Sequence, residues 1–270
     1  VEHARRDVAG DGLDVLEGHG LVPLPRGVEG ELLDLRQAGA AVTAEAGGEH
    51  VPRLADAPWF PAAPALAAAA REAGAEVHRV GIAEGEPRRI REALEKHIAR
   101  SEVLVISGAV GGAGAEAIRE ILDDLGDIDT SRVAMHPGSV QGFGLVGEER
   151  IPTFLLPSNP VSALVVFEVY IRPLIRLALG KRNAHRRVVR ARALNHIDSR
   201  PGRRGFIRAR LMRDAETADY LVEGLGGAAG APAHLLAGLS EANAMIRVPE
   251  EVTEIRPGDV VDVLFLTQRS

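Results

Sequence analysis

The stretch VLVISGAVGGAGAEAIREILDDL, residues 103–125, decides how the chain reads. Residues 103–106 are a short, wholly apolar run of the kind buried on both faces of a parallel sheet. Residues 107–114 are a Gly-rich loop. Residues 116–125 carry apolar side chains at helical spacing, and Gly126 follows as a stop. Strand, loop and helix in succession make half of a βαβ unit.

The same alternation continues outward. Residues 40–45 read as a weak strand, and 64–72 as an Ala-rich helix stopped by Gly74. Residues 75–82 read as a strand. Pro87 opens a helix with Ile90, Leu94 and Ile98 on one face. Downstream, 132–135 and 151–156 read as strands, flanking the turn Pro137-Gly138 and a short segment at 141–146. Asn159 and Pro160 are favoured at a helix cap and first position, and they begin the longest helix. On it Glu168, Arg172 and Arg176 recur every four residues as a polar stripe, with Glu168 and Arg172 in the favourable i,i+4 orientation. The spacing predicts α/β units on a mostly parallel sheet over 31–180.

After Gly180 the period changes. Residues 188–193, 205–212, 220–222, 244–248 and 260–265 read as short strands, with a helical turn or two within 231–242. The second domain, 181–270, is expected to be small and strand-rich. Residues 1–30 are Gly- and Pro-punctuated and read as an extended remnant of a preceding domain or linker. The chain does not begin with Met.

Composition narrows the function classes. The 270 residues are 46% hydrophobic and 26% charged, which excludes a disordered chain. There is no cysteine, which excludes disulfides, thiolate nucleophiles and Cys-ligated metal centres. The most apolar stretch, 161–179, is interrupted by Glu168, Arg172 and Arg176, so no bilayer span is expected. Residues 1–20 lack the hydrophobic region of a signal peptide. A cytoplasmic protein is the expectation. The nine histidines show no paired metal-ligand spacing.

Net charge is −6. Residues 181–213 hold twelve basic residues and one acid, whereas 1–180 hold seventeen basic and twenty-seven acidic. Lys96 and Lys181 are the only lysines. The Arg-rich segment lies along predicted strands, with Phe206 its only aromatic residue, so nucleic acid is not expected as a partner. Solubility, an anionic ligand or an acidic partner all fit it better.

In an open α/β sheet, ligands bind beyond the carboxyl ends of the strands. Three loops fall there. Loop 107–114 offers backbone N–H groups to a phosphate at a helix N-terminus, but lacks the Lys-Ser/Thr pair of a P-loop. The same glycines also suit a plain strand-to-helix turn. Loop 135–139 contains His136, which fits either a cationic contact or an ordinary turn. In loop 156–162 the N–H groups of Val161 and Ser162, with the hydroxyls of Ser158 and Ser162, are placed to face an anion, or simply form a helix cap. Trp59, in a Pro-rich loop, suits stacking on a planar ligand or packing of the loop.

The series SG-V (107–110), PG (137–138), QGFG (141–144), LP-NPVSA (156–163), FEVYIRP (167–173) and EANAMI-VPEEVTEI-PGDVVDV (241–263) resembles the MoeA/gephyrin E-domain family of molybdopterin molybdotransferases. The resemblance runs from about residue 40 to the end. It implies a three-layer molybdopterin-binding α/β domain followed by a small β-barrel domain, with the family's dimerisation and lid domains preceding. It also implies insertion of molybdate into adenylylated molybdopterin, with Mg²⁺ and release of AMP, in a homo-oligomer or with a partner chain. Ser107, Gly108, Pro137, Gly138, Ser139, Ser158, Asn159, Pro160 and Ser162 would hold the ligand, with His136 as a cationic contact.

Several family positions differ. Family acids fall on Gly48, Phe60 and Gly114, and a second acid of the Gly-rich loop falls on Glu116. The Lys of the Pro-Gly-Lys turn is Ser139, and a Gly-Ser-His segment reads Pro232-Ala233-His234. Glu49 and Glu116 are the acids that remain for metal or acid–base work. The alternative the departures imply is a non-catalytic, gephyrin-like scaffold.

Overall fold

The computed structural model describes residues 40–46, 62–82, 87–111, 115–225 and 241–266. Its first sheet runs in the order β2-β1-β3-β7-β6-β4. The strands are β1 (Ala40–Ala46), β2 (Glu76–Ile82), β3 (Val103–Val110), β4 (Gly126–Asp129), β6 (Gly142–Val146) and β7 (Ile151–Pro157). The pairs β2–β1, β1–β3 and β3–β7 are parallel, and β6 runs antiparallel to both β7 and β4. All eight residues of β3 are buried, as a central parallel strand requires.

Helices α2 (Pro87–Ile98) and α3 (Ala115–Leu125) cover one face. Ile90, Leu94, Ile98, Ile118 and Leu122 pack there on Leu104, Ile106 and Leu155. Helix α1 (Ala62–Ala73) packs on β1 and β2, and also on α4 (Pro160–Val166) and α5 (Arg172–Ala178), while α4 lies on β7. The sheet thus lies between two helical layers. The Ala-rich face of α1, with Ala63, Ala67 and Ala70 buried, lets the helices approach closely.

The structure corrects several sequence expectations. Strand β3 runs to Val110 rather than 106, because Gly108, at φ +80°, makes a bulge and the pairing resumes at Val110. The helix does stop before Gly126, as expected, but Gly126 starts β4, an acidic edge strand with no apolar run to announce it. Residues 132–135 are not a strand. Arg132 makes one bridge to Val140, and Met135–His136 form β5, which joins the second sheet. The predicted turns of 231–242 and the piece 1–30 lie outside the described residues, apart from 241–242.

The second sheet closes on itself. It contains β8 (Val188–Ala193), β10 (Arg204–Arg213), β11 (Tyr220–Gly224), β12 (Ala244–Val248) and β14 (Val260–Phe265). Strand β10 is long enough to serve two neighbours. Gly205–Ala209 pair with β12 and Ala209–Arg213 pair with β11, which returns to β8. Closure leaves the five strands without the open edges that template aggregation. The interior is filled by small and branched residues, among them Val189, Ala191, Ala209, Val222, Ile246 and Val263. A ribbon of β9 (Ile197–Asp198) and β13 (Glu254–Ile255) adjoins it.

The stripe on the last long helix is not a solvated face. Between α4 and α5 the helix widens into a π-helical turn, Phe167–Ile171, where the Arg172 N–H donates to the Phe167 carbonyl. Pro173 has no N–H to give the Val169 carbonyl, and a wider turn accommodates that gap. Arg172 is buried there and Glu168 is largely covered, both against the segment that leads into the barrel. Arg186 donates to Glu168 at 2.9 and 3.0 Å and to Glu72 at 2.8 and 3.1 Å. Arg172 donates to the Ala184 carbonyl at 3.0 Å, and Arg176 to the Asn183 carbonyl at 2.9 Å. The pattern was visible in sequence; its burial depended on a partner fourteen or more residues away.

Candidate anion-binding site at the strand ends

Two parallel neighbours, β3 and β7, bring their carboxyl ends side by side, with Ser107 opposite Leu156. Ser107 is buried, and the bulge at Gly108 turns the chain toward Gly111. Residues 112–114 lie outside the described residues. Glu116 stands exposed in the first turn of α3, where its charge favours the helix dipole.

Beyond β7, Ser158 is exposed and Asn159 caps α4. The Asn159 carbonyl Oδ1 accepts from the N–H groups of Val161 at 3.0 Å and Ser162 at 3.1 Å, with Pro160 at the first position. This corrects one expectation. Those two N–H groups are held by the cap, and the hydroxyls of Ser158 and Ser162 are what the turn offers a ligand. Asn159→Ala is expected to cost about 1 kcal/mol of stability, as lost N-caps do, measurable by urea unfolding.

The 136–139 turn is seated on this helix. Gly138 has φ +94°, and a Cβ there would stand 2.6 Å from Val166 Cγ2 and 3.5 Å from the Ser162 carbonyl oxygen. Pro137 follows a cis peptide bond. Gln141, buried, donates to the Gly138 carbonyl at 3.1 Å and contacts Met135 Sδ at 3.2 Å. The Ser139 carbonyl accepts from the Val133 N–H. The Gly138 turn and the first turns of α4 are therefore brought together.

The barrel supplies what the sequence reading left at the surface. β5 pairs with the start of β10, Met135 with Arg204 and His136 with Gly205. That register brings Arg200 and Arg203, from the turn before β10, near the His136 imidazole. Burial first, then the charges of Arg200 and Arg203, hold His136 below the usual histidine range. Both effects disfavour a proton on the imidazole. Arg200 and Arg203 carry the charge, and neither has a carboxylate partner among the described residues. Their cue in the sequence was the basic run at 181–213; only strand pairing assigns these two to the site. Tyr170, on the π-helical turn, is buried with its hydroxyl unbonded among the described residues. Burial pushes it up to about 12, against the nearby Arg204 charge.

Glu49, Gly48, Trp59, Phe60, Gly114 and His234 lie outside the described residues. Among the described residues no three His, Asp or Glu side chains gather to hold a metal. Glu116 is the one candidate acid described, and a single exposed carboxylate does not make a Mg²⁺ site, which needs further oxygen ligands. No helix among the described residues is long and apolar enough to cross a membrane.

Residues 61–177 match the family described as "Probable molybdopterin binding domain". Residues 190–266 match the "MoeA C-terminal region (domain IV)". The chain is 58% identical over 204 residues to "Molybdopterin molybdenumtransferase 1" of Mycobacterium tuberculosis, covering 76% of this chain and 48% of that protein. It is 35% identical to "Molybdopterin molybdenumtransferase 2" of the same species, covering 75% of this chain and 49% of that protein. The chain spans about half the length of these curated relatives. In fold it is similar to a crystal structure of the molybdopterin biosynthesis MoeA protein of Pyrococcus horikosii. The TM-score is 0.67 at 24% identity, covering 86% of this chain and 55% of that one. Two matched domains in order, the sheet and barrel that join them, and the loop motifs agree: the chain belongs to the MoeA family.

Proposed function

We propose that this chain serves molybdenum cofactor assembly by binding molybdopterin, in its adenylylated form, at the cleft where the 136–139 and 158–162 turns meet. The observation that carries this reading is the Gly138 turn seated on α4 beside two arginines without acidic partners. Such a place favours a phosphate: hydroxyls of Ser139, Ser158 and Ser162 donate or accept, and guanidiniums match its oxygens. In the full reaction molybdate enters as substrate and AMP leaves. The role of the described residues in it is to bind and orient the ligand. The same reading has the chain acting in the cytoplasm, as a homo-oligomer or with a partner chain.

Titration with adenylylated molybdopterin tests it. Ser162→Glu sets a carboxylate on the phosphate side of the turn and is expected to weaken binding at least about tenfold by charge repulsion. Equal affinity in the two proteins would place the ligand elsewhere.

A second reading, a scaffold that keeps the fold without turnover, is favoured by Gly48, Phe60 and Gly114 at family acid positions and by the lack of an acid cluster among the described residues. AMP release with molybdate and Mg²⁺ separates the two. If acids position the reacting groups, a Gly48→Asp, Phe60→Asp, Gly114→Asp variant should exceed the unmodified chain by about a hundredfold, the usual cost of misplacement. Fast AMP release by the unmodified chain would exclude the scaffold reading.

A further inference from the structure

Residues 181–186, between α5 and β8, have no regular secondary structure, and Lys181, Arg182 and Asn183 are exposed. They follow Gly180, at φ +67°, where an added Cβ would meet nothing within 4 Å. Helix α5 closes there in a Schellman turn. The Lys181 N–H donates to the Arg176 carbonyl at 2.9 Å, and the Gly180 N–H to the Leu177 carbonyl at 2.8 Å. At the far end the Arg187 carbonyl accepts from the Phe265 N–H of β14, so the barrel begins there. A short polar connection between two domains ordinarily serves as a joint. Here it is held. Arg176 and Arg172 donate to the carbonyls of Asn183 and Ala184, and Ala184 and the Arg186 side chain are buried.

The clasp sets two buried guanidiniums against two carboxylates, and Arg186 takes hydrogen bonds from both acids. Arg172 Nε, buried, comes no closer than 3.6 Å to Glu72 and 3.8 Å to Glu168, and makes no hydrogen bond among the described residues. Glu72 differs from the other three. Its side chain is 49% exposed, and it belongs to α1, whereas the others lie on the last helix or on the strap itself. Without Glu72, Glu168 alone would face two cations shielded from water. Like charges repel most in such surroundings. Arg186 is the one that can leave, because it sits on irregular chain and not on a helix. A second tie between the domains is short, since β5 gives the barrel sheet only Met135 and His136.

We propose that residues 181–186 form a locked strap whose release point is the Glu72–Arg186 fork. While the fork holds, the barrel and the α/β domain move as one body. When it is lost, the strap lifts and the barrel swings about Gly180. This is separate from the stability that the cluster gives to the whole fold. Release leaves both apolar cores packed and opens only the connection between them, a local event of lower free energy than unfolding. Glu72 suits the part, because its half-exposed carboxylate is the one member of the clasp that solvent reaches.

The chain has no cysteine, so Arg89→Cys on α2 and Arg190→Cys on β8, both exposed, are the only positions to take spin labels. The distance between the labels, read by pulsed electron resonance, is expected to be narrow and single-peaked with Glu72 in place. Glu72→Ala, which keeps α1 helical, should broaden it. Trypsin reads the strap itself, since it cuts after Lys181 and Arg182 when that stretch is released. Fragments beginning at Arg182 or Asn183 should form at least about tenfold faster in Glu72→Ala, the scale of a lost charge-assisted fork. Thermal melting should shift little. Glu92→Ala, which removes an exposed acid from α2, should change none of the three readings. A broad distance with Glu72 in place would mean an open joint and overturns the lock. Unchanged cleavage in Glu72→Ala overturns the release point. Faster cleavage at an unchanged distance would show that β5, and not the strap, holds the barrel, which also overturns the proposal. So does cleavage that rises equally within the sheet as melting falls, since Glu72 would then serve stability alone.

Discussion

Arg186→Met is expected to lower the stability of the chain by about 3–5 kcal/mol, the usual cost of removing one partner from a buried ion cluster. The loss arises at Glu168, whose side chain is only 10% exposed. Once the Arg186 fork is gone, Glu168 faces Arg172 Nε at 3.8 Å, too far for a hydrogen bond. Glu72 is half exposed and regains water, so it adds little. Urea unfolding measures the effect. Arg186→Met with Glu168→Gln should cost less than the two single changes added together, because the stranded charge is then removed as well. A loss under about 1 kcal/mol would show that the cluster is as well solvated as a surface pair.

Gly138→Ala should damage both stability and binding. A φ of +94° is strained for any side chain, at about 1–3 kcal/mol. The added Cβ would also stand 2.6 Å from Val166 Cγ2, and overpacking of that kind costs about another 1–3 kcal/mol. The turn escapes by lifting from α4, which carries His136 and Ser139 away from Ser162. Anion affinity should then fall by at least about tenfold, since near 1 Å of misplacement at a site is costly. Adding Val166→Ala removes the clash and leaves the backbone strain, so part of the stability should return. A Gly138→Ala chain with unchanged melting and unchanged sulfate affinity would contradict the seating of the turn.

Much of the fold was legible because local patterns and burial agree. Ile90, Leu94 and Ile98 repeat at helical spacing, and all three are buried against the sheet. Asn159-Pro160 announces a helix start, and the cap is made as its chemistry predicts. Strand β4 was not legible. Its sequence, GDID, is acidic, and it is a strand only because β6 pairs with it at the sheet edge. β5 has two residues, too few for any period to show.

The candidate site divides along the same line. The candidate loops at 107–114, 135–139 and 156–162 stand out in the sequence, since glycine, proline and capping residues act on their own neighbours in the chain. Arg200 and Arg203 were indistinguishable from ten other basic residues between 181 and 213 until β5 paired with β10. Likewise Glu168 and Arg172 spell a solvated stripe in sequence, and Arg186 and Glu72 make it a buried cluster. By itself the sequence determined the helices, the principal strands, the change of period near residue 180 and the family. Only the tertiary structure decided which charges are buried and which face the cleft. Secondary-structure signals act over a few residues, whereas a charge takes its surroundings from distant segments of the chain, as Arg186 does from Glu72.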